Sequence, residues 1–437
     1  MQIALRIVVG LLFLVAMGWN AEYLAADQPT AGAADAPAQE EKSEGSDAAG
    51  SSTEKEAPND EAKSDSDQQA DTEEPPVRVS LTRPVMTDEQ RAEWASRLRT
   101  IYSQPSKRWP PPLVDRSVQW QELEALPEKP VVEVEPERVE LGKLLFFEPR
   151  LSGSGQMACA SCHDPDLNWA DGRTVAIGNH RKALKRNAPT IMNVGFGKSH
   201  FWDGRAGTLE EQARQVLANP DEMDSSEEVI VDRISKLDGY RQLFQKVYGD
   251  ETVSIDRVTS AIASFERTIV GGRSAFDKFM RGNTEELSDE AVIGLHLFRT
   301  EAHCMNCHFG QNFSDELYHD VGLSYYGRKY EDLGRFEITK EIGDVGRFKT
   351  PSLRNVAKTG PYMHNGLFPL DGVLNMYNAG MPTLRRKPHQ LEDERFPVKS
   401  PLLHPLYFNR QDLAALKSFL ESLSEPTFRI RPPELPQ

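Results

Sequence analysis

The 437-residue sequence is typical of a mostly α-helical protein with two lobes, preceded by an apolar leader and an acidic segment. In several stretches apolar residues recur at intervals of three and four, as they do on the buried face of a helix. Convincing alternation of apolar and polar residues, the pattern of half-buried strands, is absent. All four cysteines fall in two copies of one short motif that lie far apart, which indicates one copy in each lobe.

The predicted helices can be placed by their caps and apolar faces. Ser288 is the expected N-cap of a helix in which Val292, Leu295 and Phe298 share one face, and Ser254 is the expected start of another. The apolar faces of the remaining predicted helical stretches consist of Ile255, Val258, Ile262, Phe265 and Ile269, of Ile230, Ile234 and Leu237, and of Leu413, Leu416 and Leu420.

Residues 1–26 are predicted to be a signal peptide. Arg6 is followed by an apolar run over residues 7–17, which is too short to span a bilayer comfortably. Cleavage is expected near Ala25 or Ala26. Because the small-x-small cleavage pattern is imperfect there, an uncleaved membrane anchor is the alternative. Either outcome exports the rest of the chain, so we expect a periplasmic protein.

Residues 27–76 are predicted to form a disordered acidic linker. They contain no aromatic residue and no Ile, Leu, Val or Met, so they cannot bury enough apolar surface to fold. Fifteen acidic residues and three lysines give this segment a net charge of −12, out of −16 for the whole chain. The remainder is therefore nearly neutral, and without a basic stripe we expect no binding of nucleic acid.

Both cysteine motifs have the form Cys-x-x-Cys-His. Two cysteines at this spacing attach haem covalently through thioethers, and the histidine binds the iron from one face. A four-cysteine zinc site is the main alternative, but its pairs usually lie within about 20 residues of each other, whereas Cys162 and Cys304 are 142 positions apart. A thioredoxin-like site would need only one pair. The residues expected to hold two haem c groups are Cys159, Cys162 and His163, and Cys304, Cys307 and His308.

Two cytochrome c-like haem domains packed across an interface are therefore the expected body of the protein. We assign residues 77–130 to an amino-terminal helical extension, 131–271 to the first haem domain and 272–430 to the second. Gly271 and Gly272 offer a break between the two domains.

Several sequence blocks follow one another between residues 137 and 425. Their order resembles that of the bacterial diheme cytochrome c peroxidases and their MauG-like relatives. The resemblance implies that the first domain is peroxidatic and that the second transfers electrons. The blocks are ELGKLLFFEPRLSGSG, CASCHDP, RNAPTIMNVGF, FWDGRAGTLEEQ, NPDEM, FERTIVGG, CMNCHFGQNFSD and FKTPSLRNVAKTGPYMHNG.

The resemblance also implies roles for three side chains. In that family a tryptophan between the two haems carries electrons, and the FWDGR block places it at Trp202. A glutamine ten residues later and a catalytic glutamate twenty residues later correspond to Gln212 and Glu222. A carboxylate in a partly apolar pocket can take a proton from one peroxide oxygen and deliver it to the other.

A calcium ion between the lobes is a further implication of the resemblance. The asparagine of RNAP, here Asn187, and backbone carbonyls near the TPS turn, here Thr350 and Pro351, would hold it. Calcium takes oxygen ligands, and a carbonyl can come from any residue type, so Asn187 is the ligand that the sequence itself makes readable.

One departure from the family pattern concerns the first haem. Many of these peroxidases rest with a second histidine on this iron and release it when the other haem is reduced. The corresponding position is Asn179, and His180 follows it. Either His180 binds the iron, or the site is open to peroxide from the start, which is the alternative that we favour.

A second departure concerns the sixth ligand of the second haem, which is methionine in the peroxidases and tyrosine in the MauG branch. We assign Tyr377, because its place before NAG fits the end of the family's helix, and Met376, Met381 and Met363 are the alternatives. Met376 and Tyr377 are adjacent, so on a helix they point about 100° apart and one of them faces the iron. Methionine raises the reduction potential, whereas an anionic oxygen favours higher oxidation states.

Three functions follow as hypotheses. The first is a peroxidase that takes electrons from a small cytochrome c or cupredoxin and reduces hydrogen peroxide to water. The second is a MauG-like enzyme that uses peroxide to oxidise aromatic residues of a partner protein. The third is a diheme electron carrier without peroxide chemistry, in which Gln212 and Glu222 would be incidental. An acid beside an open haem site favours the first two.

Overall fold

The structure, a computed structural model, describes residues 82–127, 133–426 and 430–437. The expected signal peptide and the whole of the acidic linker lie outside these residues. Eleven α-helices occur in the described part of the chain: α1 Asp88–Tyr102, α2 Pro136–Phe146, α3 Leu209–Ala218, α4 Glu227–Ser235, α5 Asp238–Tyr248, α6 Ile255–Glu266, α7 Ala275–Met280, α8 Asp289–Arg299, α9 Phe336–Thr339, α10 Leu370–Asn378 and α11 Arg410–Ser422.

Strands are minimal among the described residues. The short strands β1 (Tyr318–His319) and β2 (Phe348–Lys349) pair antiparallel, with Tyr318 opposite Lys349. Several single 3₁₀ turns connect the helices, and two of them, Cys159–Ser161 and Cys304–Asn306, contain the cysteine motifs. The prediction of a mostly helical fold is thus confirmed.

Caps define where the predicted helices begin. The Ser254 and Ser288 side chains accept hydrogen bonds from the backbone N–H of Arg257 and Ala291 at the starts of α6 and α8. Such caps satisfy donors that the first helical turn leaves without partners. The helix ends were less predictable: Ile269 lies beyond the end of α6 although it is buried, and Leu237 is the N-cap of α5 and not part of α4.

Residues 77–437 form one compact unit with two hydrophobic cores. The first core contains the apolar faces of α2, α3, α4, α5 and α6. The second contains those of α1, α7, α8 and α11. In the described part of the chain no helix is both long and apolar enough to cross a membrane.

The two cores repeat one close helix contact. A Cβ atom at Gly142 of α2 would overlap the carbonyl oxygen of Ala261 in α6 and press on Phe265. A Cβ atom at Gly294 of α8 would overlap the Ala415 carbonyl in α11 and press on the side chain four residues further along, Phe419. Each glycine lets two helix backbones approach more closely than any side chain would allow, so the two lobes share a packing scheme.

Replacing Gly294 by alanine should lower the free energy of unfolding, because the new methyl group meets helix backbone and not a movable side chain. Overpacking of this kind costs about 1–3 kcal/mol, against a gain of up to about 1 kcal/mol in helix propensity. Thermal unfolding of the haem-loaded protein measures the balance. Gly343→Ala is the control, since nothing lies within 4 Å of a Cβ atom there; equal unfolding temperatures for the two variants would contradict the account.

Candidate active site

The first cysteine motif presents its histidine as a metal ligand. Nδ1 of His163 lies 3.1 Å from the carbonyl oxygen of Trp169. A carbonyl can only accept, so Nδ1 carries the proton and Nε2 keeps the lone pair that an iron ligand needs. Burial lowers the pKa of His163, which favours the neutral imidazole.

The second motif repeats this arrangement. Nδ1 of His308 donates to the carbonyl oxygen of Phe313 over 2.8 Å, and burial lowers the pKa of this imidazole too. Trp169 and Phe313 are fully buried, one in each core. Each histidine ring is therefore oriented by a backbone carbonyl that its own core fixes in place.

The cysteines do not converge on one site. Cys159 packs against the first core and Cys304 against the second, so the two cysteine pairs lie in different lobes. The four-cysteine zinc alternative therefore does not fit the fold.

A cavity of about 560 Å³ opens beside the first motif. This volume lies within the range of about 300–1,000 Å³ that is typical of cofactor and ligand pockets. Apolar residues form much of the wall and polar groups enter at a few points, as expected for a haem pocket. Its lining includes Cys159, Cys162, His163, Met192, Leu209, Val216, Ile262, Trp202, Gln212 and Glu222. Trp202, Gln212 and Glu222, chosen for catalysis from the sequence, thus meet in one cavity with the first motif.

Glu222 reaches the cavity from the turn after α3. Its backbone N–H donates to the Asn219 carbonyl over 3.0 Å, and its carbonyl accepts from the N–H of Asn179 over 2.8 Å. The loop that carries Gly178 packs so tightly here that a Cβ atom on Gly178 would overlap the Asp221 carbonyl. The turn is thus fixed on both sides.

The carboxylate of Glu222 is unusual in its surroundings. Its Oε2 atom is buried and has no hydrogen-bond partner. Burial raises the pKa of Glu222, and the nearby Arg205 opposes this shift. Gln212 lies on α3, one turn after the N-cap Thr208, and lines the same cavity. An acid with a free buried oxygen facing a pocket is suited to proton transfer.

His180 lies outside this arrangement. Its side chain is 78% exposed, and its Nε2 atom is 3.7 Å from a carboxylate oxygen of Asp224. The buried residue of this loop is Asn179, whose side-chain amide donates to Asp224 over 2.9 Å. The geometry favours the interpretation in which His180 does not bind the first iron.

Trp202 is held by main-chain groups from two directions. Its indole N–H donates to the Asn187 carbonyl over 3.0 Å. Its own carbonyl accepts from the N–H of Lys349 in β2 over 2.8 Å. The ring of His364 lies edge-on to the indole, with 6.4 Å between centroids. The indole therefore stands where residues before and after the second motif meet.

The residues that follow Trp202 explain why it occupies a polar turn. Asp203 is buried and accepts hydrogen bonds from Arg186 over 2.6 Å and from Arg205 over 3.0 Å. Arg186 also binds Asp332 with two bonds of 2.7 and 2.8 Å. Gly204 adopts a φ of +70°, and a Cβ atom there would overlap the Tyr318 hydroxyl. Asp203, Gly204 and Arg205 thus fix the position of the indole. Ion pairs connect Asp203 with Arg205 and, through Arg186, with Asp332.

Tyr377 faces the second motif. It lies on α10, close enough to Cys307 and Cys304 that both sulfurs add to burial in raising the pKa of its phenol. Since consecutive helical residues point about 100° apart, Met376 is directed elsewhere. Met381, itself buried, follows the helix and donates its backbone N–H to the Met376 carbonyl over 2.8 Å. The structure thus places the Tyr377 phenol near the cysteines of the second motif, and the choice of Tyr377 over Met376, Met381 and Met363 stays a prediction.

The residues expected to bind calcium already have protein partners. The side-chain amide of Asn187 donates to the Arg173 carbonyl over 2.7 Å, and the Thr350 carbonyl accepts from Ser314 over 2.7 Å. Pro351 lines the first cavity together with Asn187. Calcium at Asn187, Thr350 and Pro351 stays a prediction.

Several functional neighbours were not identified from the sequence. Glu266 lines the first cavity with a buried, unpartnered Oε2, and burial raises its pKa to about 8. His364 is buried beside Trp202, also with an unpartnered nitrogen. Both lie within sequence blocks that were used for the resemblance, so their positions were visible although their roles were not.

Comparison with known proteins identifies the family of this chain. Residues 136–285 match the family described as di-haem cytochrome c peroxidase. The chain is 38% identical over 318 residues to the methylamine utilization protein MauG of Methylorubrum extorquens. The aligned region makes up 72% of this chain and 85% of the relative. It is 36% identical over 310 residues to cytochrome c551 peroxidase of Nitrosomonas europaea. This aligned region makes up 70% of this chain and 86% of that relative.

The chain belongs to the di-haem cytochrome c peroxidase and MauG family. A solved structure, of a MauG-like protein associated with microbial copper homeostasis, is 31% identical, with a TM-score of 0.62 and coverage of 70% of this chain and 95% of that one. The protein is thus a peroxidase-type oxidoreductase that uses peroxide, and membership implies two haem c groups at the two motifs.

Haem attachment gives a direct test of both motifs. Intact-mass measurement on the mature protein should find two covalently bound haems, and the variant Cys304→Ala/Cys307→Ala should retain one. The remaining haem should be the one at His163, because the cysteines of the first motif are not changed in this variant. A variant that still carries two haems would contradict the assignment.

Proposed function

We propose that this enzyme reduces hydrogen peroxide at the first haem site with electrons that pass from the second site through Trp202. The observation that carries the proposal is the carboxylate of Glu222, whose buried, unpartnered oxygen lies in the same cavity as His163, Gln212 and Trp202. The Glu222 side chain is hydrogen-bonded to Asn219 and lies near Arg205, and its unpartnered oxygen is available for proton transfer.

The first site would divide the chemistry between cofactor and protein. Haem held by Cys159, Cys162 and His163 would supply the redox-active iron. Glu222 would take a proton from one peroxide oxygen and return it to the other, which leaves as water. Gln212 orients the peroxide through its amide group. Two electrons and two protons convert one hydrogen peroxide into two waters.

Trp202 supplies the route for the electrons. Its indole borders the first cavity, and its main chain is bonded to β2, which belongs to the second half of the chain. Arg186, whose side chain is 13% exposed, pairs with the buried Asp203 and Asp332 and thereby keeps this bridge rigid. A fixed aromatic ring between two redox centres favours transfer, because the ring does not have to reorganise when the electron passes.

A second candidate function is the oxidation of aromatic residues in a partner protein, as the MauG-like resemblance implies. Two observations favour it: Tyr377 faces the second motif, and His180 points away from the first. Electrons would then flow inward from the partner and not from a small cytochrome c or cupredoxin. The third hypothesis, a non-catalytic carrier, does not agree with membership of a peroxidase family.

The location that we propose is the periplasm. The support is the predicted signal peptide over residues 1–26, together with the need of both motifs for covalent haem. Whether the leader is removed or retained as an anchor is decided by the mass of the isolated protein.

Glu222→Gln should slow the reaction with peroxide by about 10²–10⁴-fold, the usual contribution of a general acid–base group. The amide keeps the shape of the side chain but cannot carry the proton. Stopped-flow absorbance of the haem bands after mixing with peroxide measures the rate. Glu228→Gln, which changes an exposed acid of α4, is the control, and a similar loss in both variants would contradict the proposal.

The pH dependence follows from the direction of the pKa shift. Glu222 acts first as a base, so it must be ionised, and burial raises its pKa above the ordinary value of 4.5. The rate should therefore fall as the pH is lowered through this raised pKa, and Glu222→Gln should remove that part of the profile. An acid limb that persists unchanged in Glu222→Gln would assign it to another group.

Trp202→Phe should interrupt electron transfer between the two haem sites. Both haems should remain attached, the initial reaction at the first site should proceed, and the resulting spectral change at the second haem should be delayed or lost. The matched control is Trp120→Phe, at a tryptophan that is 38% exposed. Unchanged communication between the haems in Trp202→Phe would remove the indole from the electron route.

A further inference from the structure

A cluster outside the haem cavity brings together three potential metal ligands from distant parts of the chain. Asp115 precedes the first haem motif, His303 stands directly before Cys304, and His404 lies shortly before α11. One ligand atom from each lies within 4.8 Å of the others. His404 Nε2 is 3.0 Å from an oxygen of Asp115, and His303 Nδ1 is 3.9 Å from the other oxygen.

His303 has the feature that an ordinary ion pair does not explain. Its Nδ1 atom is buried and forms no hydrogen bond, although its ring stands only 4.9 Å from that of His404 between centroids. Its backbone has a φ of +52°, a left-handed conformation that costs a non-glycine residue energy. A buried nitrogen that faces a carboxylate without bonding to it is explained if a cation lies between them.

Asp115 is oriented by a second layer of contacts. Its backbone N–H donates to the side-chain carbonyl of Asn306 over 2.9 Å, and the amide of Asn306 donates back to the Asp115 carboxylate over 3.2 Å. Asn306 is itself part of the second cysteine motif. Outer partners of this kind fix the direction of a ligating carboxylate.

We propose that Asp115, His303 and His404 bind a divalent transition-metal cation. Two imidazoles and one carboxylate are donors that suit Zn²⁺ and Cu²⁺. Ligand atoms about 2 Å from a tetrahedral ion stand roughly 3.3 Å apart. The observed separations are 3.0 and 3.9 Å to Asp115 and at most 4.8 Å between any two ligand atoms, so His303 has to move towards the other ligands when the ion binds.

The site is open to exchange with solvent. The side chains of Asp115, His303 and His404 are 28%, 26% and 40% exposed, so an ion can enter without unfolding. Three protein ligands leave one position for water, which is the arrangement of exchangeable sites and not of closed structural ones. The ion would lie next to the loop that holds the second haem.

Binding can be measured on the haem-loaded protein after treatment with a chelator. Equilibrium dialysis against Zn²⁺, followed by metal analysis, should find one zinc per chain in addition to haem iron. Asp115→Asn and His404→Ala should each weaken binding by at least about 100-fold, since even loss of an outer partner costs about 10–100-fold. His389→Ala, at an exposed histidine, should bind as the unaltered protein does.

A second variant distinguishes this cluster from a neighbouring one. His319 and Asp315 pair over 2.8 Å beside Cys307, and His319→Ala should leave zinc binding intact. With Cu²⁺, electron paramagnetic resonance should show coupling to two imidazole nitrogens in the unaltered protein and to one in His404→Ala.

Two results would overturn the proposal: no zinc or copper bound by the unaltered protein, or full binding by both His404→Ala and Asp115→Asn. In the latter case Asp115 and His404 form an ion pair only. The visible spectrum of both haems shows that each variant is folded, and Asp115→Asn, which keeps the shape of the side chain, replaces His404→Ala if that variant loses haem.

Discussion

The hydrogen bond from each ligating histidine to a backbone carbonyl is the contact on which both sites depend. His163 donates to Trp169 and His308 to Phe313. Each carbonyl belongs to a residue whose ring is packed in a core. The ring centroids of Trp169 and Phe146 are 5.8 Å apart, and those of Phe313 and Phe298 are 5.9 Å apart. The direction of each metal-binding nitrogen is therefore set by a hydrophobic core and not by a flexible loop.

The lobes share this design but present different groups to their haems. In the first lobe, α3 and the turn after it bring Gln212 and Glu222 to the cavity. In the second, α10 brings Tyr377 towards the cysteines. Our proposal thus assigns proton transfer to the first site and an oxygen ligand to the second. The buried chain of Arg186, Asp203 and Asp332 fixes the indole between them.

The sequence predicted the features that depend on local order. The N-caps Ser254 and Ser288 and the apolar faces behind them follow from spacing along one helix. The ends of α4 and α6 did not follow, because Ile269 is buried, and Leu237 partly buried, by tertiary contacts outside those helices. Periodicity alone cannot distinguish such residues from one more turn of helix.

Contacts between distant segments were the part that sequence could not supply. Arg186 meets Asp332, 146 positions away, and Asp115 meets His404, 289 positions away. Neither pair has a motif, since a single arginine, aspartate or histidine is ordinary on a protein surface. Their importance comes from the partners that the fold gives them.

The central claim is that the first site accepts peroxide without prior reduction, because His180 is exposed and one buried oxygen of Glu222, which lines the cavity, has no hydrogen-bond partner. Mixing the fully oxidised protein with one equivalent of hydrogen peroxide, beside a sample reduced by one electron, tests it by rapid-scan absorbance. We expect the oxidised protein to react at once. A reaction confined to the half-reduced sample would show that the first iron is blocked at rest, and would contradict the account.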